Sequence, residues 1–207
     1  NRVYDVFVHD RQTGQTTRVS VDSAGMQSNG ISGGPSLSAD GRYVAFDSSA
    51  SNLVAGDTNN VSDVFLHDRQ TGLVARVGLG PGGAQGNGHS YRPSLSSDGR
   101  IVAFRSGASN LVTGDTNSDY DVFVHDRSTG LTSRISVDSS GGQGDFGSDY
   151  PAASSDGRFV AFRAGFGPGH RAVRVLRIAD GVEVFSIDFD VVDSVAGSEA
   201  GRCRWMP

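Results

Sequence analysis

Residues 5–11, Asp-Val-Phe-Val-His-Asp-Arg, return almost unchanged at 63–69 and 121–127, a constant spacing of 58 residues. The repetition extends well beyond this stretch. Aligning residues 35–72 with residues 93–130 gives 28 identities in 38 positions without a gap. Self-similarity at a fixed period of several tens of residues is typical of solenoids, propellers and arrays. The chain is therefore built from repeated units.

Each unit contains four short runs bounded by Gly, Asp, Asn and Ser, and the longer runs are rich in β-branched and aromatic residues, which predicts strands. Asp40-Gly41 and its copies one and two repeats later mark a tight hairpin, because Asp-Gly readily adopts the positive φ that such a turn needs. No segment has the period of an amphipathic helix, so we predict an all-β fold. In the first complete unit the predicted strands are 35–38, 42–48, 62–68 and 73–79. Four antiparallel strands per repeat make one propeller blade.

Two motifs carry a resemblance to a known family. The pattern Pro-x-x-Ser-x-Asp-Gly-Arg-x-Val-Ala-Phe at 35–46, followed by Asp-Val-Phe-Leu-His-Asp-Arg-x-Thr-Gly at 63–72, resembles the WD40-like (PD40) repeat of TolB-like β-propellers. The resemblance implies a propeller of bacterial origin, located in the periplasm, at the cell surface or outside the cell, although no signal peptide is visible in this chain. It leaves the function open, since one fold serves many tasks.

We interpret the whole chain, residues 1–207, as a single propeller segment of about three to four blades. Fewer than four blades do not close a propeller, and an open arc exposes sheet edges and apolar blade faces. We therefore expect the chain to belong to a larger propeller or to complete one by self-association. The predicted parts are trailing strands at 1–24, blades at 35–80 and 93–138, a diverged blade at 151–189, and the start of another at 202–207.

Composition excludes several functions. A formal charge of −5 and a pI near 5.4 give no basic footprint for nucleic acid or an anionic membrane, and no apolar run predicts membrane insertion. Cys203 is the only cysteine, so no internal disulfide can form. The sequence has no lysine for a phosphate-binding loop. We expect a protein that is not itself an enzyme.

Two acidic loops carry oxygen side chains at alternate positions, as a wrapped Ca²⁺ ion requires. A calcium ion here would stabilise the loops and take no part in catalysis. The alternative is that the Asp and Asn side chains form turns with their own backbone. The candidate ligands are Asp57, Asn59, Val61 (through its carbonyl) and Asp63 in one loop, and Asp115, Asn117, Asp119 and Asp121 in the other.

The loop residues His89, Tyr91 and Arg92 are candidates for binding a ligand. We expect a non-catalytic scaffold that presents its loops to a protein or carbohydrate partner. One alternative is the propeller domain of a larger hydrolase of the prolyl-oligopeptidase type, or of a polysaccharide lyase, with the catalytic residues outside this chain. Another is a structural component of a surface or filament assembly.

Overall fold

The computed structural model describes residues 2–137, 141–144, 146–165, 170–178 and 183–190. A two-stranded hairpin is followed by three four-stranded antiparallel sheets, each in the order of the sequence. The hairpin is β1 (Phe7–His9) and β2 (Thr16–Arg18). The first blade is β3 (Ser32–Leu37), β4 (Tyr43–Ser48), β5 (Asp63–Asp68) and β6 (Val74–Val77). The second blade is β7 (Ser90–Leu95), β8 (Ile101–Ser106), β9 (Asp121–Asp126) and β10 (Leu131–Arg134), after a 3-10 turn at Pro81–Gly83. The third blade is β11 (Phe146–Ala153), β12 (Phe159–Gly165), β13 (His170–Arg177) and β14 (Glu183–Asp190).

This architecture confirms the predicted all-β fold with four antiparallel strands in each blade. The tight turn at Asp40-Gly41 has the expected conformation, with φ of +71° at Gly41. The first strand of the blade begins at residue 32, three residues earlier than predicted. The difference arises because this strand contains a bulge, which strand periodicity does not reveal. Residues 202–207, predicted to start another blade, lie outside the described residues.

The cores lie between neighbouring sheets, and the run of apolar residues in β4 shows why. Val44 and Phe46 pack toward the β1–β2 hairpin, whereas Ala45 packs toward the second blade. All three are completely buried. A strand covered on both faces needs apolar side chains at successive positions, as the sequence indicated. The core side chains therefore hold each blade to its neighbours.

The first strands of the three blades, which we call the inner strands, lie side by side and bond across the blade boundaries. Ser36 Oγ of β3 accepts a hydrogen bond from the main-chain N–H of Leu95 in β7, at 2.9 Å. One repeat later, Ser94 Oγ accepts the equivalent bond from Ala153, also at 2.9 Å. This repeated bond aligns the three inner strands, so equivalent positions in successive blades become neighbours. Within the described part of the chain, no helix is long and apolar enough to cross a membrane.

Candidate functional site

Each inner strand is irregular at the same place. The register shifts between Gly33 and Ser36 in β3, and equivalent shifts occur in β7 and β11. The residue at the bulge has a left-handed φ in every blade: +55° at Gly34, +55° at Arg92 and +57° at Tyr150. This conformation is unfavourable for side chains other than glycine. Two of the three blades thus present a long side chain from a strained position, which is a feature of functional sites.

The repeats also diverge at this end of the blades. Residues 35–72 and 93–130 differ at ten positions. Four of the ten lie near the bulge of the second blade and its neighbours: Asp47/Arg105, Ser49/Gly107, Val61/Asp119 and Ser62/Tyr120. Two copies that are identical at 28 of the other 34 aligned positions have therefore become chemically different here.

Three arginines surround one carboxylate at the bulges. Arg92 Nη1 lies 3.3 and 3.2 Å from the two oxygens of Asp149, and Arg105 Nη1 lies 2.5 Å from Oδ2. Arg163 Nη2 is 4.0 Å from the same oxygen. Asp149 is nearly buried, whereas the side chains of Arg92 and Arg163 are 43% and 47% exposed. The buried carboxylate therefore lies beneath the guanidinium groups, and parts of Arg92 and Arg163 remain exposed to solvent.

Tyrosine rings stack on the same arginines. The guanidinium carbon of Arg105 lies 3.9 Å from the ring centre of Tyr120 and 5.8 Å from that of Tyr91. Tyr150 lies between the other two arginines, 4.0 Å from Arg92 and 4.9 Å from Arg163. Such stacking holds both partners in place through cation–π attraction. We call this group the arginine–tyrosine cluster; it comprises His89, Tyr91, Arg92, Arg105, Tyr120, Asp149, Tyr150 and Arg163.

The cluster carries more positive than negative charge. Besides Asp149, two carboxylates are bonded to main-chain groups of the cluster: Asp47 accepts the N–H of Arg92 at 3.1 Å, and Asp119 accepts the N–H of Tyr120 at 2.7 Å. Burial raises the pKa of Asp47 above its ordinary value. Nε of Arg105 is buried without a hydrogen-bond partner. Among the side chains of the cluster itself, three arginines face the single carboxylate of Asp149, and Asp47 and Asp119 bond only to its main chain.

All three residues predicted to bind a ligand, His89, Tyr91 and Arg92, belong to this cluster. The rings of His89 and Tyr91 stack with their centres 5.6 Å apart. The His89 ring is oriented by the main-chain N–H of Ser62, which donates to Nδ1 at 2.9 Å. That these residues bind a ligand stays a prediction.

Sequence reasoning missed the other members of the cluster. The missed residues are Arg105, Tyr120, Asp149, Tyr150 and Arg163. Comparing the repeats position by position would have identified several of them, because these positions differ between otherwise similar units.

An arginine of strand β6 lies between the carboxylates of the first acidic loop. Arg76 Nη2 lies 3.0 Å from Asp57 Oδ1, and its Nε lies 3.3 Å from Asp63 Oδ2. Asn59 donates its amide to Asp63 at 3.0 Å, and its own oxygen accepts the N–H of Val61 at 3.3 Å. The aspartates and the arginine are all nearly buried. The guanidinium thus supplies the positive charge that we predicted calcium would supply.

The second loop repeats this arrangement more loosely. Arg134 Nη1 lies 3.5 Å from Asp115 Oδ1 and 3.9 Å from Asp121 Oδ2. The amide of Gln143 donates to the same two oxygens at 2.7 and 2.9 Å. Asn117 and Asp119 form a side-chain turn, since Asn117 Oδ1 accepts the N–H of Asp119 at 3.1 Å. The positive charge here again comes from an arginine.

Among the described residues, no group of three or more His, Cys, Asp or Glu side chains is arranged to hold a metal ion. The turns at Asn59 and Asn117 agree with the alternative considered for these loops. Calcium binding itself stays a prediction.

Comparison with solved structures defines the class: the chain has the fold of a β-propeller. More particularly, it is similar to TolB from Acinetobacter baumannii, with a TM-score of 0.54 and 19% identity over 86% of this chain and 36% of that one. The fold is therefore that of a TolB-like β-propeller, which confirms the resemblance seen in the repeat. No protein-family model and no curated protein matches the chain.

Propellers of enzymes are similar as well. The β-propeller domain of the Trilobed protease from Pyrococcus furiosus matches with a TM-score of 0.53 and 10% identity, over 77% of this chain and 43% of that one. An oligogalacturonate lyase solved in complex with manganese matches with a TM-score of 0.51 and 15% identity, over 86% of this chain and 40% of that one. The chain spans less than half the length of each of these three proteins. At these identities the likeness concerns the fold alone.

Proposed function

We propose that the chain is a non-catalytic β-propeller module that presents the arginine–tyrosine cluster to a protein or carbohydrate partner. The observation that carries the proposal is the divergence of the repeats at this cluster, where Arg92 and Tyr150 occupy strained positions. Stability alone gives no reason for such residues, because Gly34 meets the same backbone requirement without strain. Arginine and tyrosine are also the residue types that contribute most often to binding energy at interfaces.

The test measures the binding of several probes through the signals of the cluster's own side chains. Nuclear magnetic resonance signals of the arginine Nε–H groups and tyrosine rings are recorded while four probes are added: an acidic, a basic and a neutral peptide, and a neutral oligosaccharide. We expect at least one probe to shift the signals of Arg92 and Arg163. Tyr150→Gly should abolish the shift without unfolding the protein, since glycine suits φ of +57°.

The matched control is Tyr43→Ala, which removes a tyrosine stacked on Arg42 and Arg127 at the other end of the first two blades. Its response to the probes should equal that of the wild type. If no probe shifts the cluster, or if both tyrosine variants respond alike, the binding role at this site is wrong.

A second candidate function is the propeller domain of a larger hydrolase or polysaccharide lyase. Its support is the similarity to the propeller of a protease and to an oligogalacturonate lyase. The sequence of the full-length gene distinguishes the two functions, because a hydrolase would carry a Gly-x-Ser-x-Gly elbow in a further domain. A location outside the cytoplasm belongs to the proposal in both cases and follows from the resemblance to TolB-like propellers.

Stabilisation by calcium is a separate part of the proposal. Its support is the approach of two buried carboxylates, Asp115 and Asp121, in a loop with further oxygen side chains. A calcium ion entering this loop must displace the guanidinium of Arg134 from both aspartates. Calcium and arginine therefore compete for one place, which makes the prediction testable by removing the arginine.

A further inference from the structure

We infer that the arginine–tyrosine cluster recognises a carboxylate carried by an acidic segment of a protein partner. The inference rests on the binding role proposed above and names the chemistry of the partner.

Charge is distributed unequally among the side chains of the cluster. The single carboxylate of Asp149 faces three guanidinium groups, and the three are not held equally. Arg92 and Arg105 lie within 3.3 Å of its oxygens, whereas Arg163 stays at 4.0 Å. Arginine offers five N–H donors in a planar fork that matches a carboxylate. Arg92 also hydrogen-bonds the side chain of Tyr150. The donors of Arg163, and those of Arg92 that Asp149 and Tyr150 do not use, are therefore available for a second carboxylate.

The exposed arginines are held in place before a ligand binds. The ring of Tyr150 stacks on both of them, 4.0 Å from Arg92 and 4.9 Å from Arg163, and cation–π attraction favours these positions. Its own position is fixed by the left-handed bulge, where its main-chain N–H donates to Asp149 Oδ1 at 2.7 Å. Side chains that are already ordered lose less conformational entropy when a ligand binds. The exposed arginines thus form a pair of donors set in place before the partner arrives.

The exposed side chains of the cluster are of the types that bind proteins. Tyr150 is 55% exposed and stands beside two half-exposed arginines. Exposed tyrosine and arginine side chains around a desolvated polar centre are the composition of a protein-binding hot spot. An aspartate or glutamate side chain on an extended segment can reach such a site while the neighbouring residues contact the ring. An acidic polysaccharide is the rival occupant, and the experiment includes it.

Calorimetric titration of the 207-residue chain tests the inference with three probes. These are a short glutamate-rich peptide, the same peptide with every glutamate replaced by glutamine, and an oligogalacturonate. We expect the glutamate peptide to bind at least about tenfold more tightly than the glutamine peptide, since the difference is a charge-assisted hydrogen bond. The affinity should fall as salt is raised.

Variants locate the interaction. Arg163→Gln and Arg92→Gly should each weaken the glutamate peptide by about tenfold. The control is Arg100→Gln, which removes an equally exposed arginine paired with Asp126 beyond the other end of β8. It should leave the affinity unchanged. Melting temperatures of all variants show that each remains folded.

Each outcome decides the inference. Equal binding of both peptides at the cluster would overturn the acidic partner but keep the binding role. Tighter binding of the oligogalacturonate than of the glutamate peptide would overturn the protein partner. If none of these probes, nor the neutral and basic ones above, reaches the cluster, both proposals fall.

Discussion

The buried arginines of the acidic loops are the side chains whose loss we expect to cost most stability. Arg76 is 5% exposed and faces Asp57 and Asp63, which are 4% and 2% exposed. Arg76→Gln leaves two carboxylates buried without a counterion, so the free energy of unfolding should fall by about 3 kcal/mol. Urea denaturation measures it. Adding Asp57→Asn to the variant should recover part of the lost stability, because it removes the repulsion between the two carboxylates. If Arg76→Gln alone costs less than about 1 kcal/mol, the contribution of a solvent-exposed ion pair, this account is wrong.

Arg134, the equivalent of Arg76 one repeat later, gives the sharpest test of calcium binding. Arg134→Gln leaves Asp115 and Asp121 beside the amide of Gln143, a group of oxygen ligands that suits Ca²⁺. We expect the melting temperature of this variant to rise more in millimolar Ca²⁺ than that of the wild type, by mass action. Chelator should reverse the rise. An equal response of the two proteins would show that arginine does not occupy the place of an ion.

Lowering the pH should change the stability contributions of an ion-paired and a fully buried aspartate in opposite directions. Hydrogen bonds from Arg100 hold the pKa of Asp126 well below its usual range. Its contribution to stability is therefore present above the unfolded pKa of about 4 and is lost as the pH falls toward the folded value. The difference in unfolding free energy between wild type and Asp126→Asn should shrink below pH of about 4. Burial raises the pKa of Asp121, so its contribution has the opposite sign: it is present at low pH and is lost as the pH rises through the raised value. A constant difference between wild type and Asp126→Asn would contradict this assignment.

At the scale of the strand, a substitution at the bulge in β7 distinguishes a role of Arg92 in binding from a role in folding. Arg92→Gly restores the residue type found at Gly34 in the first blade, where φ is the same. Relief of backbone strain, about 1 kcal/mol, should roughly offset the lost half-exposed pair with Asp149. We expect the unfolding free energy to stay within about 1 kcal/mol of the wild type while the glutamate peptide binds about tenfold more weakly. A loss of several kcal/mol would show that Arg92 serves the fold instead.

The strands show what sequence reasoning reaches and where it stops. Asp40-Gly41 and the run Val44 to Phe46 predict the hairpin and the doubly covered strand because their signals are local. The bulge at Arg92 gave no such signal, since an arginine with positive φ looks like any loop residue. The contact of Arg76 with the first acidic loop was also missed, because this arginine reaches Asp57 from strand β6. The spacing of oxygen side chains along the loop, taken alone, favoured a metal ion. Contacts formed by strand pairing are invisible to a local pattern.

At the scale of the whole molecule, the repeat reveals an uncovered face. Phe7, Phe65 and Phe123 occupy equivalent positions, yet Phe65 and Phe123 are completely buried and Phe7 is 51% exposed. Leu37 is 48% exposed, whereas its counterpart Leu95 is 8% exposed. The buried copies are covered by residues of the preceding sheet. The β1–β2 hairpin and β3 therefore expose apolar side chains whose equivalents are buried between blades elsewhere in the described chain. That a further blade or a second copy covers them stays a prediction.

In the isolated chain we expect a second copy to cover these side chains, since apolar surface exposed to water favours association. Light scattering should give a mass above the 21.6 kDa of one chain, rising with concentration. Phe7→Ser should reduce the association. The control Leu131→Ser changes a more exposed apolar residue, at 66%, on the outer strand β10 and should have no effect. Discrete oligomers would favour a completed ring, because a heterologous contact that closes limits its own growth. Polydisperse growth would favour the filament alternative, and a strictly monomeric chain would mean that this face does not drive assembly.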